Sequence, residues 1–279
     1  MRQSNDYLYE NAPLVEVVAE VRWDMVPIAS MPGSEIDPLF ERKHSDMQAA
    51  MAEVGFVFAE RLVPDHVPNE MLAGQPIFRY RTAPDSWPLV QYGPGVFTVN
   101  ITPPYDGWSE FRETLALAVT ALDSVLSLGS DFTNVRAADL RYIDAFTEMH
   151  GMNQFSTFLR DHLSVPMAPP QGLLASIGSP QADYVPRVEF SAQVGKRLDT
   201  KFVFHAASGT KDDTPAAILD LRSRREFGEA KVAKSDELLT WFDEAHSILH
   251  SAFESTISDE LRKKIGPARP IGGENDTRN

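Results

Sequence analysis

The chain has 279 residues, 43% of them hydrophobic, and it contains no cysteine. A chain of this length buries enough apolar surface to fold without disulfides or a structural metal. The lack of cysteine excludes disulfide frameworks, thiolate nucleophiles and cysteine-ligated metal sites. The 26 lysine and arginine residues stand against 40 aspartate and glutamate residues, which gives a formal net charge of −14. Because this charge repels phosphate backbones and anionic lipids, direct binding to nucleic acid or to a membrane surface is disfavoured.

Neither a targeting segment nor a membrane span is predicted. Residues 1–14 carry scattered polar side chains and lack the basic start and apolar core of a secretory signal. No uninterrupted run of about 18 apolar residues, the length that a membrane-spanning helix needs, occurs in the chain. We therefore expect a cytoplasmic protein.

The first half of the chain begins with a clear strand signal. Residues 14–23 (LVEVVAEVRW) are rich in β-branched side chains and end in strict alternation, which predicts a strand. One face of this strand is apolar, whereas the other carries Glu20 and Arg22. The elements predicted to follow are a helix over about 39–54, short strands at 56–63 and 77–82, a hairpin of strands 89–92 and 96–101, and an amphipathic helix that Asp106 caps and that ends near Leu128.

A second strand signal, at residues 135–146 (VRAADLRYIDAF), opens the other half of the chain. The elements predicted after it are a short helix at 154–163, a proline-rich loop at 164–186, strands at 187–194, 200–206 and 216–224, and a long C-terminal helix from 235 or 236 to about 264. The two halves thus share one order of elements.

The two leading strands also match in residue type. Ala19-Glu20-Val21-Arg22-Trp23 corresponds to Ala138-Asp139-Leu140-Arg141-Tyr142 at the same place in each half. We therefore predict an α+β fold of two similar units, each running strand, helix, antiparallel sheet and helix, related by a pseudo-twofold duplication. The predicted units are 11–130 and 133–265, followed by a disordered tail at 266–279. A match of five residues is short, and coincidence is the alternative.

Under a duplication, the two leading strands become neighbours, and four charged side chains would meet between the units. These are Glu20 and Arg22 from the first strand and Asp139 and Arg141 from the second. Their guanidinium groups could bind an anionic or zwitterionic molecule through paired hydrogen bonds. The alternative is a structural network of ion pairs.

The predicted C-terminal helix carries His246, His250 and Glu254 at positions i, i+4 and i+8. Two histidines one turn apart have the spacing of zinc ligands, but Ser247 stands where the zinc-protease motif has glutamate. An apolar stripe lies beside them, so boundary histidines on a packed helix are the favoured interpretation. We therefore predict neither a metal nor a cofactor.

Several segments, in order, carry a family resemblance: NAPLVEVVAEVRW, VQYGPGVFTVNITPPYDGWSEF, DLRYID, ILDLR and FDEAHSILHSAFESTISDELR. The chain resembles the sporadically distributed family of uncharacterised prokaryotic proteins, over about residues 11–261. That family implies no activity. Its patchy distribution implies genes that move between genomes, as toxin–antitoxin and phage-defence genes do. The matching positions include Glu20, Arg22, Arg141, Tyr142 and His246.

No nucleophile elbow, phosphate loop or dinucleotide fingerprint is present. The leading hypothesis is therefore a non-enzymatic, acidic protein-binding component, an antitoxin, immunity or phage-defence accessory protein with a basic partner encoded nearby. The alternative is a small-molecule-binding sensor or enzyme with a charged pocket between the units. A metal-dependent hydrolase using His246 and His250 is a third possibility, and a homodimer is left open. The candidate ligand-binding residues are Glu20, Arg22, Asp139, Arg141, Tyr142 and His246.

Overall fold

The computed structural model describes residues 7–64, 66–68, 71–130, 133–179, 184–195, 197–228 and 234–270. Over these residues the fold is α+β, with six α-helices and one large antiparallel sheet of nine strands. This confirms the predicted α+β class. None of the helices in the described ranges combines the length and the apolar character that crossing a membrane requires.

The strands of the described residues range in length from 2 to 15 residues. In chain order they are β1 (Tyr7–Tyr9), β2 (Leu14–Trp23), β3 (Val26–Pro27), β4 (Glu35–Ile36), β5 (Phe58–Arg61), β6 (Phe78–Arg81), β7 (Leu89–Gly93), β8 (Val96–Ile101), β9 (Val135–Phe146), β10 (Val188–Val194), β11 (Arg197–Lys211), β12 (Thr214–Glu226) and β13 (Ala268–Pro270). The helices are α1 (Phe40–Glu53), α2 (Trp108–Leu126), α3 (Phe155–Asp161), α4 (Leu173–Ser176), α5 (Ser235–Thr256) and α6 (Asp259–Lys264).

The nine-stranded sheet runs in the order β10-β11-β12-β9-β2-β8-β7-β6-β5. The two leading strands, β2 and β9, are therefore neighbours at its centre, as the sequence predicts. They pair antiparallel, and Glu20 lies directly opposite Asp139. On each side of this central pair, the last strand that its half of the chain contributes to this sheet, β8 or β12, lies next to the leading strand.

Helices pack on one face of the sheet because the strands are apolar on that side. In β2 the alternate residues Val17, Ala19, Val21 and Trp23 are buried, while Glu20 and Arg22 on the other face are partly exposed. Helix α1 packs against α2, and α2 packs against α5, which also contacts β9 and β12. One continuous apolar core joins these elements, and burying it supplies the main favourable free energy of folding.

The C-terminal helix is interrupted, in contrast to the prediction of one helix to residue 264. Helix α5 ends at Thr256, and Ile257 adopts an extended conformation with its side chain buried. The Ser258 side chain then accepts a hydrogen bond from the Leu261 amide and begins α6. A side chain that binds the backbone in this way competes with a continuous helix.

Two other boundaries also differ from the predicted ones. Gly107, at a positive φ of 100°, occupies the N-cap of α2, so Asp106 does not cap this helix. Ala268–Pro270 form β13 and pair with Tyr7–Tyr9, whereas the sequence predicted a disordered tail from residue 266. The rest of that predicted tail, residues 271–279, lies outside the described residues.

Candidate functional site

A cavity of about 310 Å³ lies between β9 and α5, on the face of the sheet that the helices cover. Its remaining walls come from β1 and the segment that joins it to β2, from the loop that follows β8, and from Leu221 of β12. The polar and aromatic groups in its wall include Tyr9, Tyr105, Tyr142, Asp144, His246 and Phe253. Most of the wall is apolar, with a few polar groups, as in typical sites for small molecules.

The strand and helix periodicities bring these groups together. Tyr142 and Asp144 are two residues apart on β9, so both point to the helix-covered face. Tyr142 lies opposite Leu221, and Asp144 lies opposite Leu14 in the sheet. His246 faces them from α5.

A hydrogen-bonded group of aromatic side chains forms one wall of the cavity. The Tyr142 hydroxyl lies 2.9 Å from His246 Nδ1 and 3.3 Å from the Tyr105 hydroxyl. The Trp108 ring stacks on the His246 ring, with centroids 4.5 Å apart and an interplanar angle of 2°. Trp108 Nε1 in turn donates to Asp243 at 3.0 Å. The imidazole is therefore held by an indole ring stacked on its face and by a hydroxyl group at its Nδ1 atom.

Asp144 is the buried carboxyl group of the cavity. Its exposed fraction is only 5%, and within the described ranges no side chain donates a hydrogen bond to it. Burial raises the pKa of Asp144 to about 7; the charge of Asp220 adds to this shift, and Lys211 opposes it. This carboxyl group can therefore exchange a proton near neutral pH, or pair with a cation that enters the cavity.

One part of the cavity wall is joined by contacts between the two ends of the described chain. The Tyr9 hydroxyl donates to Glu254 at 2.8 Å, and Arg262 forms an ion pair with the same carboxylate. Arg262 Nη1 also donates to the Tyr9 hydroxyl at 2.8 Å. These contacts join β1, α5 and α6 beside the cavity.

Four of the six predicted site residues lie on the opposite face of the sheet. Arg22 binds Glu20 through Nε and Nη2, at 2.6 and 3.2 Å, and donates through Nη1 to the Gly74 carbonyl at 3.2 Å. Arg141 does not pair with Asp139 but binds both oxygens of Asp220, at 2.7 and 2.6 Å.

Asp139 is paired with arginines from the neighbouring strand β12. It accepts from Arg222 Nε at 2.5 Å and from Arg224 Nη1 at 3.2 Å. Burial nevertheless raises the pKa of Asp139, because loss of hydration outweighs both arginines. Part of this network borders an open cleft of about 700 Å³ beside Glu20 and Arg22. The guanidinium groups of Arg22 and Arg141 are thus already bound to carboxylates.

Tyr142 and His246, the other two predicted residues, lie in the helix-side cavity. The six residues therefore do not form one site. Sequence reasoning missed Asp144, although a signal for it exists: an aspartate two residues after Tyr142 falls on the face that β9 turns toward the core. A charged residue in the apolar register of a strand is costly and points to function.

Across the described ranges, no group of three or more histidine, aspartate and glutamate side chains is placed to hold a metal ion. The ring centroids of His246 and His250 are 5.9 Å apart.

Comparisons with protein-family models, with curated proteins and with solved structures found no match. The resemblance to the sporadically distributed family stays a prediction.

Proposed function

We propose that the protein binds a small molecule in the cavity between β9 and α5. The observation that carries this proposal is the wall of the cavity, which combines apolar and aromatic surface with the few polar groups of Tyr142, His246 and Asp144. Its volume of about 310 Å³ lies at the small end of the range for ligand sites.

The polar groups of the cavity wall would orient a bound ligand. Tyr142 and His246, which are hydrogen-bonded to each other, place polar groups where α5 packs on β9, and Asp144 adds a carboxyl group from β9. The tyrosine and phenylalanine rings of the cavity wall supply apolar contact area. A ligand that has both a ring or chain and a polar end would satisfy this arrangement.

A thermal-shift screen of cationic, neutral and anionic metabolites tests the proposal, because a bound ligand raises the melting temperature. Ala12 is an exposed residue of the cavity wall, so Ala12→Trp would fill the opening without entering the core. The control is Leu117→Trp on α2, where the side chain is 52% exposed and outside the cavity wall. We expect shifts that Ala12→Trp removes and Leu117→Trp retains. A screen with no hits, or hits unaffected by Ala12→Trp, would contradict the proposal.

A second candidate function is the binding of a basic protein partner, as an antitoxin, immunity or phage-defence component. It is favoured by strand β10, which lies at the edge of the sheet and is exposed along most of its length, with Phe190 49% exposed. Exposed edge strands accept a further strand from another chain, and the net charge of −14 would attract a basic one.

Co-expression of the tagged protein with the products of neighbouring genes tests this second candidate. We expect one of these products to be recovered with the tagged protein in stoichiometric amount. The recovered amount should fall as the salt concentration increases, and Phe190→Lys should also reduce it. Recovery of the tagged chain alone at every salt concentration would exclude it.

We also propose that the two halves, with units at 11–130 and 133–265, arose by duplication. Glu20 and Asp139 are matched in the sequence comparison and also lie opposite each other in the sheet, as a twofold axis between them requires. Duplication would be supported by an experimental structure in which β2 and the strands beyond it (β8 to β5) superpose on β9 and the strands beyond it (β12 to β10). Unrelated paths of the two sets would contradict it.

A further inference from the structure

We infer that the ligand of the helix-side cavity is an organic amine, whose protonated nitrogen is bound by Asp144 and whose hydrocarbon part lies against the aromatic wall. This inference rests on the proposed small-molecule function and names the chemical class of its ligand. Three independent features of the cavity support it.

The first feature is a buried carboxyl group to which no described side chain donates a hydrogen bond. Asp144 lines the cavity with 5% of its surface exposed, and within the described part of the chain no side chain donates a hydrogen bond to it. An ionised carboxylate in this position is costly unless a cation pairs with it. A ligand ammonium group would supply that cation and up to three donors, as a lysine side chain does.

The second feature is the sign of the surrounding charge. Glu10 and Glu254 also contribute to the cavity wall, whereas none of its described residues is a lysine or an arginine. Arg262 lies nearby but is paired with Glu254. A wall with this balance repels carboxylates and phosphates and favours a cation.

The third feature is the ring content of the wall. Tyr9, Tyr105, Tyr142 and Phe253 surround the space beside Asp144. The faces of such rings attract ammonium groups through their quadrupoles, and aromatic walls are a recurrent means of binding organic cations. The same rings bury the hydrocarbon part of an amphipathic amine.

Binding should depend on pH, because Asp144 must lose its proton before it pairs with the amine. Burial and Asp220 hold the pKa of this carboxyl near 7, and Lys211 partly offsets them. Besides its three tyrosines, the other titratable groups in the cavity wall are His246, His250, Glu10 and Glu254. An aliphatic ammonium group keeps its charge throughout this range. Amine affinity should therefore rise by up to about tenfold per pH unit below about pH 7 and then level off.

Isothermal titration with 2-phenylethylamine and with its neutral isostere 2-phenylethanol tests the inference. In phosphate buffer at about pH 8, we expect the amine to bind at least about tenfold more tightly than the alcohol, which corresponds to one charge-assisted contact. Only the amine should show the pH dependence. Equal affinities, or an amine affinity independent of pH, would overturn the inference.

Asp144→Asn keeps the shape of the side chain but removes its charge. It should reduce amine affinity at least about tenfold, abolish the pH dependence and leave the alcohol unaffected. The matched control is Asp46→Asn on α1, where the side chain is 59% exposed, and it should change nothing. Unchanged amine binding by Asp144→Asn would overturn the inference. If this variant fails to fold, the amine–alcohol comparison and the pH profile of the unsubstituted protein decide the question.

The inference and the proposed function fail in different ways. If neutral or anionic compounds bind in a manner that Ala12→Trp blocks, while amines do not bind, the cavity is a ligand site and the amine assignment is wrong. If no compound of any class binds in the cavity, both are wrong.

Discussion

Strand β9 carries two buried aspartates that face opposite sides of the sheet. Asp139 is 3% exposed and accepts hydrogen bonds from Arg222 and Arg224, whereas Asp144 is 5% exposed and has no such donor among the described side chains. Burial raises the pKa of both. The two residues are five positions apart, which places them on opposite faces of a strand.

This difference separates a structural carboxylate from a candidate functional one. On the open face, Asp139 completes a network in which the guanidinium groups already have partners from the protein itself. In the helix-side cavity, no described side chain supplies the corresponding partner, and space for a ligand lies beside the carboxyl group. Burial and an altered pKa are common to both faces, so the presence or absence of a partner distinguishes them.

The largest effect is expected from Asp139→Ala, which leaves Arg222 and Arg224 without their shared carboxylate. Removing one partner from a buried ion pair costs about 3–5 kcal/mol, and the partial exposure of both arginines reduces the expected loss to about 3 kcal/mol. Urea denaturation measures this change in the free energy of unfolding. The exposed Asp46→Ala should change it by less than about 0.5 kcal/mol. Similar values for the two variants would show that the network does not stabilise the fold.

Asp144→Asn should instead stabilise the protein, by about 2 kcal/mol at about pH 8. The raised pKa corresponds to about 4 kcal/mol, and the cost of burying the asparagine amide offsets about half of it. The folded-state pKa of Asp144 is raised from 3.8 to about 7, so its protonated form contributes stability that is fully present below 3.8 and is lost as pH rises through about 7. Asparagine does not ionise, so the variant does not lose this stability as pH rises. Its advantage over the unsubstituted protein should therefore grow from about pH 4 to pH 8 in denaturation experiments without ligand. An advantage that shrinks with rising pH would contradict the account.

Tyr142→Phe should cost about 1 kcal/mol, because it removes the hydroxyl that lies 2.9 Å from His246 Nδ1 and leaves a partly buried ring nitrogen without this partner. Denaturation followed by tryptophan fluorescence measures the loss, since Trp108 stacks on His246 and reports on the ring position. A variant with unaltered stability and fluorescence would show that this hydrogen bond does not position the imidazole.

Arg141→Met should have the smallest effect, about 0.5 kcal/mol, because its side chain is 42% exposed and water screens its pair with Asp220. Unlike the cost of Asp139→Ala, this cost should decrease further in about 0.5 M NaCl. Denaturation at low and high salt provides the comparison. A loss as large as that of Asp139→Ala would remove the distinction between the buried and the exposed ion pairs.

The local pattern of the sequence predicts the strands well. The leading strands at 14–23 and 135–146 were predicted with the bounds that the structure has, because alternation and β-branched residues are local signals. The break between α5 and α6 was missed because it depends on the buried Ile257 and on a side-chain cap at Ser258. Such a local contact overrides a helical periodicity that continues on both sides.

Pairing between distant residues was not predictable in the same way. Arg141 binds Asp220, which is 79 positions further along the chain, because β12 and not another strand lies next to β9. Without the order of the strands, the charged residues of β2 and β9 seemed to be each other's partners. The same missing information hid the cavity, since Asp144 and His246 meet only when α5 packs over β9.

The pKa of Asp144, measured from the carbon-13 shift of its side-chain carboxyl group, shows whether this carboxyl is the ligand-binding group of the cavity. The signal can be assigned by its loss in Asp144→Asn. We expect a midpoint of about 7 in the free protein and a decrease of at least about one pH unit with saturating 2-phenylethylamine. A midpoint near the ordinary value of 3.8, unchanged by the amine, would contradict it.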